Sequence, residues 1–506
     1  MSNDIRSARK GSALAYGLVI MASVSIILSS ILTFVVSQIK NSLYVNAKEQ
    51  AFQIAESGVH FYKWYLAHNT DGRTTQQIQA FWNSGTALGV GVDYEVDYED
   101  PSSGTVVGRY SIEVDPPIQG STMVIARVTG WTTKYPGSTR TIQVRFRRPS
   151  WSESAVLAND FMRFGAGTEV YGRIHSNQGI RFDGVAHNLV TSSVASFDDP
   201  DHGGGNEFGV HTHDNPTDPL PPAAVPARVD VFEAGREFPV AATDFNGVLG
   251  DLSYMKGEAQ AGRGRYFDNG GYGRKVELKT DDTYDICRVN AYDSNTNGIT
   301  DYAGAVSGAT GGHSGTNGNA CVASSCCAFA SCPWIRPNQQ SRGKCVSLSN
   351  HPIVDDGVIF VEDNVWLSGQ VRGKKTTIVA ADLIGGAAPS VYIGNDIRYT
   401  NYDGTDIIGI IGQNDVEIIR DAETDLRIDA ALLAQQGRVG MKHYVVNKTV
   451  ITVYGAIATN QRYGFAWTDG TGYATRNLYY DNNLLYHPPP YFPTGTQYAI
   501  DLWEEL

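Results

Sequence analysis

The chain has 506 residues, 18% of them charged, with 54 glycines and a formal net charge of −13. That acidity excludes nucleic acid as a partner recognised through bulk electrostatics. A mean hydropathy of −0.24 excludes a polytopic membrane protein, and the glycine excess lacks the Gly-X-Y period of collagen.

Residues 12–39 carry no formal charge over 28 positions. As a helix they would run about 42 Å, longer than the ~30 Å hydrocarbon core of a bilayer. Arg6, Arg9 and Lys10 precede the run against a lone Asp4. This bias predicts a cytoplasmic N-terminus, one membrane span and a bulk that lies outside. A cleaved secretory signal has a 7–15-residue apolar core and a small-residue cleavage site, and the run here is too long for one. Beyond it, Tyr44, Ala47, Ala51, Ile54, Ala55, Val59, Tyr62 and Leu66 recur at spacings of three and four. No proline intervenes, so the spacing predicts one helix from about Ser12 to Leu66 whose second half packs an apolar stripe on a globular domain.

Lys10-Gly11 followed by Ser12 and a long apolar helix resembles the start of a type IV prepilin. Gln50-Ala51-Phe52-Gln53-Ile54-Ala55-Glu56-Ser57-Gly58 is similar to a segment of PilX-type minor pilins and large minor pseudopilins. The resemblance covers residues 6–66. It implies processing at Gly11 and Ser12: a prepilin peptidase would cut after Gly11 and methylate the new N-terminal Ser12. It further implies a bacterial cell membrane location, other pilin subunits and an inner-membrane assembly platform as partners, and incorporation into a pilus. Most major pilins carry Glu at the fifth mature position, where this chain has Tyr16. A carboxylate there would neutralise a neighbour's N-terminal ammonium in lipid. Its absence points to a tip or initiating subunit.

Residues 90–148 alternate apolar and polar in four runs, Val92–Tyr98, Arg109–Asp115, Thr122–Trp131 and Arg140–Arg147, separated by Pro and Gly turns. A helix followed by a meander predicts a pilin-like α+β neck over 40–149. After Ser150 the texture becomes short apolar runs broken by Gly, Asn and Asp, at an irregular spacing of about 18–25 residues. The expected fold class is therefore mainly β with a long N-terminal helix. Its body, residues 150–199 and 352–506, is expected to be a β-solenoid (parallel β-helix), with a β-sandwich as the competing arrangement. The body stretches VYGRIHSNQG, PARVDVFEAGREFP and TGYATRNLYYDNNLLYHPPPYFP also resemble the extracellular parts of PilX-like proteins from candidate-phyla bacteria.

Residues 200–351 interrupt the pattern and are predicted to be an inserted, loop-rich, Cys-rich subdomain. All six cysteines fall here: Cys287, Cys321, Cys326, Cys327, Cys332 and Cys345. An even count outside a membrane predicts disulfides, with 15 connectivities open. Zinc is the rival ligand, but no C-x-x-C pair occurs. Asp293, Asn295, Asn297, Gly298 and Asp301 match the start of a calcium loop, making Ca2+ the candidate cofactor. Gly304 stands where the loop's bidentate Glu belongs. His202, His211, His213 and Asp214 include an H-x-H pair able to chelate when extended. Their Gly/Pro-rich surroundings predict solvated loop histidines instead. The C-terminal aromatics around Pro488-Pro489-Pro490 are expected to cap the open end of the stack.

No carboxylate pair at catalytic spacing and no G-x-S-x-G elbow is present, so the chain is not expected to be an enzyme. The sequence predicts a minor pilin or pseudopilin that initiates or tips a filament and displays a large head. The alternatives are an adhesin that binds surface glycan through a pilin-like anchor, and a polysaccharide-degrading enzyme on a β-helix.

Overall fold

The computed structural model describes residues 8–118, 121–245, 248–270, 273–292, 343–386, 388–420 and 422–506. The architecture is mainly β with one long N-terminal helix. That helix, α1, runs unbroken over Ala8–Thr70. Ala47, Ala51, Ile54, Ala55, Val59, Tyr62 and Leu66 are buried, as their spacing predicts, whereas Tyr44 lies beyond the domain edge and is exposed. A second helix, α2 (Thr75–Asn83), starts at a capping box. There the Gln77 amide N–H donates to Thr74 Oγ1 at 3.3 Å and the Thr74 N–H donates to Gln77 Oε1 at 3.0 Å.

The buried stripe of α1 lies on an antiparallel sheet of β1 (Tyr94–Glu99), β2 (Val106–Asp115), β3 (Met123–Thr132) and β4 (Arg140–Arg147). Alternate residues of these strands, including Ile112, Val114, Val124, Ala126, Val128, Ile142, Val144 and Phe146, meet the helix in one core. The fifth strand of this sheet comes from the far end of the chain: Ala499–Glu505 pairs antiparallel with β4. Arg145 and Arg147 hold Asp501 at 2.8 and 3.1 Å. The body between residues 150 and 498 is therefore a lobe inserted between two adjacent strands of the neck sheet.

In that lobe, parallel pairing connects strands far apart in sequence. One ladder runs through Gly264–Phe267, Gly357–Val361, Lys375–Ala380, Ile407–Gly412, Asp425–Ala434 and Asn447–Thr459. It continues through Val156–Ala158, Ile174–Ser176, Val190–Ser192 and Arg236–Glu237. A second ladder runs from Arg274–Leu278 through Val365–Val371 and Val391–Tyr399 to Asp425–Ala434 and Asn447–Thr459, strands long enough to serve both ladders, and on through Gly472–Tyr480 and Thr168–Tyr171 to Val185–Ala186. Between them lies one apolar core in which Ile378, Ile410, Leu432, Ile457 and Val156 repeat the same inward position from strand to strand. Near-continuous burial along Ile407–Gly412 matches a strand covered on both faces.

The order of strands corrects the expected domain boundaries. The chain enters the stack at its middle, where Val156–Ala158 pairs with Ile457–Thr459. It builds outward to Arg236–Glu237, then returns past helix Val248–Gln260 to start again at Gly264–Phe267 on the opposite end. Residues 200–292 are thus not a separate insertion, because they supply strands at both ends of the ladders. The tail does not cap an open end either. Leu484, Tyr491 and Phe492 bury against the flank of the stack, and Tyr498 enters the neck core, where Trp82 Nε1 donates to its hydroxyl at 3.1 Å.

One buried cation gives the body a pH signature. Lys275, on Arg274–Leu278, is 1% exposed with Glu277 at 3.9 Å. Burial, opposed by Glu277 and Asp285, pushes its pKa down to about 7. An unfolded lysine titrates near ~10.4, so between these values the unfolded chain binds one more proton than the folded one. Stability then rises with pH above 7, by up to ~1.4 kcal/mol per unit. We expect urea midpoints of the full chain to rise from pH 7 to 8.5. In Lys275→Met that rise should vanish; an identical slope in the variant would show that Lys275 is charged in the folded state.

Candidate functional site: an exposed apolar helix and a buried histidine–carboxylate cluster

Two features have the chemistry of function. The first is the free half of α1. From residue 13 to 46 nearly every side chain is exposed, including Leu18, Ile20, Ile27, Leu32 and Phe34. At ~1.5 Å per residue this projection is about 50 Å, enough to cross a ~30 Å hydrocarbon core with excess. Three of its hydroxyls are satisfied inside the helix. Ser23, Ser30 and Thr33 each donate to the carbonyl four residues back at 2.8 Å, so these three need no water. Gly11 and Ser12 lie within this helix, and Tyr16, in place of the pilin Glu, is exposed.

The second feature lies at the outer end of the ladders. Ser196–Phe197 and Glu207–Phe208 form a short antiparallel pair. The loop between them carries Asp199 and His202. The chain then adds Val210–His211 in parallel to Ile180–Phe182, with His211 opposite Arg181. This folding gathers Asp199, His202, Glu207, His211 and His213 into one cluster. Asp199, His211 and His213 offer ligand atoms within 4.8 Å of one another, and so do His202, Glu207 and His213. The solvated-loop expectation for these histidines is overturned for His211, which is 0% exposed, and His213 is half-buried. His202 remains exposed, and Asp214 stays outside the cluster, 4.0 Å from Arg228.

Hydrogen bonds fix the orientation of several groups. Nδ1 of His211 donates to the Phe208 carbonyl at 3.2 Å, since a carbonyl only accepts. Its Nε2 then faces Asp199 Oδ2 at 3.8 Å, and neither atom has a hydrogen-bond partner among the described residues. Asp199 Oδ1 accepts from the Asp201 N–H at 2.9 Å. Glu207 accepts from the Asp199 N–H at 3.2 Å and from His202 Nδ1 at 2.9 Å. Burial raises the Asp199 pKa, but His211, the Asp201 amide and Arg181 outweigh it and hold the carboxyl well below the usual range. Burial, together with Arg181 and the neighbouring histidines, keeps His213 below the ordinary histidine value. Asp199 is therefore ionised and His213 neutral at pH 7, the forms in which both act as metal ligands.

H-x-H was the legible part of this site. Asp199 and Glu207 carry no spacing signal, because only the hairpin turns them toward His211 and His213. The calcium candidates Asp293, Asn295, Asn297 and Asp301 lie outside the described residues, as do Cys321, Cys326, Cys327 and Cys332. Cys287 is buried and disulfide-bonded, while the Cys345 side chain lies outside the described set.

A cleft of about 780 Å3 also opens between neck and body, lined by Arg73, Trp151, His175, Thr191 and Asp251. Two of its polar groups are engaged in structure: Asp251 accepts from Thr75 at 2.6 Å, and His175 Nδ1 pairs with Thr191 at 2.9 Å.

No family model and no curated protein matches the chain. Among solved structures it is similar to the competence-associated pilin ComZ from Thermus thermophilus, at 12% identity and a TM-score of 0.30, covering 91% of this chain and 98% of that one. A likeness at that level decides nothing, and the functional reading rests on the geometry.

Proposed function

We propose that this chain is a membrane-anchored, pilin-like subunit that initiates or tips a filament and displays a large β-rich head. The observation that carries the reading is the division of α1. Its first half is bare and apolar, and its second half is buried on an antiparallel sheet. A bare helix of this kind is unstable in water and needs lipid or the helices of like subunits to cover it. Tyr16, in place of a carboxylate, favours a place where no subunit docks beneath. The lobe's size favours it too, since some 350 residues held at two crossings of one sheet would crowd a packed filament. We read the stacked parallel ladders as a β-solenoid, and the role as non-enzymatic. Exposed Tyr479 and Tyr171, stacked at 5.0 Å with His187 beyond, favour glycan binding by the same head as a second reading.

The test is the mature N-terminus of the full chain, produced in cells that carry a prepilin peptidase and read by mass spectrometry. We expect a peptide that begins at methylated Ser12, and retention of the leader in Gly11→Val. An N-terminus still at Met1 in the presence of the peptidase would overturn the pilin reading and leave a plain anchored protein.

A further inference from the structure

The outer end of the ladders holds an arrangement that hydrogen bonding alone leaves incomplete. His211 Nδ1–H is committed to the Phe208 carbonyl. Its Nε2 points at Asp199 Oδ2 at 3.8 Å, and both atoms are buried without a hydrogen-bond partner among the described residues. Buried polar atoms left without a partner are costly, so this pair calls for a group that both can bind. The gap is too long for a hydrogen bond. Two ligands that share a zinc-like ion at ~2.0–2.1 Å lie roughly 3.3 Å apart at the tetrahedral angle and about 4 Å apart when opposed. The observed separation falls between those limits. His213 completes a two-histidine, one-carboxylate set, and Glu207 fixes the Asp199 backbone and the His202 ring beside it.

We propose that Asp199, His211 and His213 bind one divalent transition ion of the zinc class. Two imidazoles select such an ion over calcium or magnesium, which prefer oxygen ligands. The ion would pin the 198–206 loop to Val210–His211, the last strand of its sheet among the described residues. Arg181 is the competing element. Its Nη1 lies 3.5 Å from Asp199 Oδ2, so it competes with the ion for that carboxylate. Arg181 divides its single charge between Asp199 and Asp183, whose Oδ2 accepts from Nε at 2.8 Å, so Asp199 is only partly matched by it. The inference does not depend on the pilin reading, since it concerns only the head.

The experiment uses the full chain in detergent, purified without a polyhistidine tag, stripped with a chelator and titrated with Co2+ and Zn2+. Expected are one equivalent of Co2+ with d–d absorption and no thiolate-to-cobalt charge-transfer band, and a melting temperature raised by Zn2+. Loss of an outer partner typically weakens a metal site ~10–100-fold, so removing a ligand should cost more than ~100-fold. His213→Ala, at a half-buried position that the fold tolerates, and Asp199→Asn should each show that loss. Absence of d–d absorption and of a thermal shift would overturn the proposal. So would binding unchanged in His213→Ala, or a thiolate band, which would place the ion on cysteines.

Discussion

Gly130→Ala should lower the melting temperature of the neck sharply, although it adds one methyl group. Gly130 lies on the helix-facing side of β3, in line with Val124, Ala126 and Val128. A Cβ at this position would sit 2.3 Å from the Ala51 carbonyl oxygen and 2.6 Å from the Ala55 nitrogen. Both are backbone atoms of α1, so no rotamer change can relieve the contact, and the helix must lift off the sheet. Overpacking of this kind typically costs ~1–3 kcal/mol, and the upper end applies where backbone meets backbone. Lifting α1 also opens the buried contacts of Ile54, Val59 and Tyr62. The matched control is Gly137→Ala, in the β3–β4 turn, where an added Cβ meets nothing within 4 Å. Differential scanning calorimetry should separate the two variants clearly. Equal melting temperatures would mean that α1 does not dock on β3 as described.

The neck was legible because its signals are local. A stripe at spacings of three and four needs a covering surface, and alternating runs of residues 92–147 supply one, so helix, strands and their contact follow from periodicity. The fifth strand was not legible. Ala499–Glu505 reads as an exposed, acidic terminal segment, and only its pairing with Arg145 and Arg147 on β4 gives it a place. The same limit applies to the body. Its short runs announce stacked strands, yet which strand lies on which depends on a chain that enters mid-stack and jumps from one end to the other. The stretch after residue 200 reads as an insertion because its first strands, at 207–208, 210–211 and 236–237, are only two residues long, too short for a periodic pattern. The site suffers twice from this: H-x-H is visible, but its carboxylate partner Asp199 comes from the other side of a hairpin.

These links make the head part of the neck's stability and not a passive cargo. The residues that cross between the two units are themselves tied down. Arg148 Nη1 donates to Thr494 Oγ1 at 2.8 Å, and the Trp151 N–H donates to the Pro493 carbonyl at 3.0 Å. A load applied along α1 is thereby passed to β4 and to its neighbour, the strand that closes the head.

Asp429→Ala should be the most damaging change inside the head. Asp429 is 0% exposed on Asp425–Ala434, at the centre of the ladders. One carboxylate there serves two adjoining turns of the stack. Its Oδ2 accepts from the Tyr399 N–H at 3.1 Å and the Tyr402 hydroxyl at 2.7 Å, while Oδ1 accepts from Arg427 Nε at 2.8 Å. Removing the carboxylate strands a buried N–H, at ~1–3 kcal/mol, whereas the Tyr402 hydroxyl, on an exposed side chain, can turn to water. Arg427 is one-third exposed and can recover water, so its share is small. The expected loss is about 2 kcal/mol, read as an earlier urea transition and faster proteolysis within the head. Asp429→Asn, which keeps one acceptor oxygen and the volume, should recover about half of that loss. Because the Tyr402 pKa is pushed up to about 12 by burial first and then by Asp429, its spectrophotometric titration midpoint should fall in Asp429→Asn. A head that unfolds at the wild-type urea concentration in Asp429→Ala would show that the carboxylate does not bridge the turns.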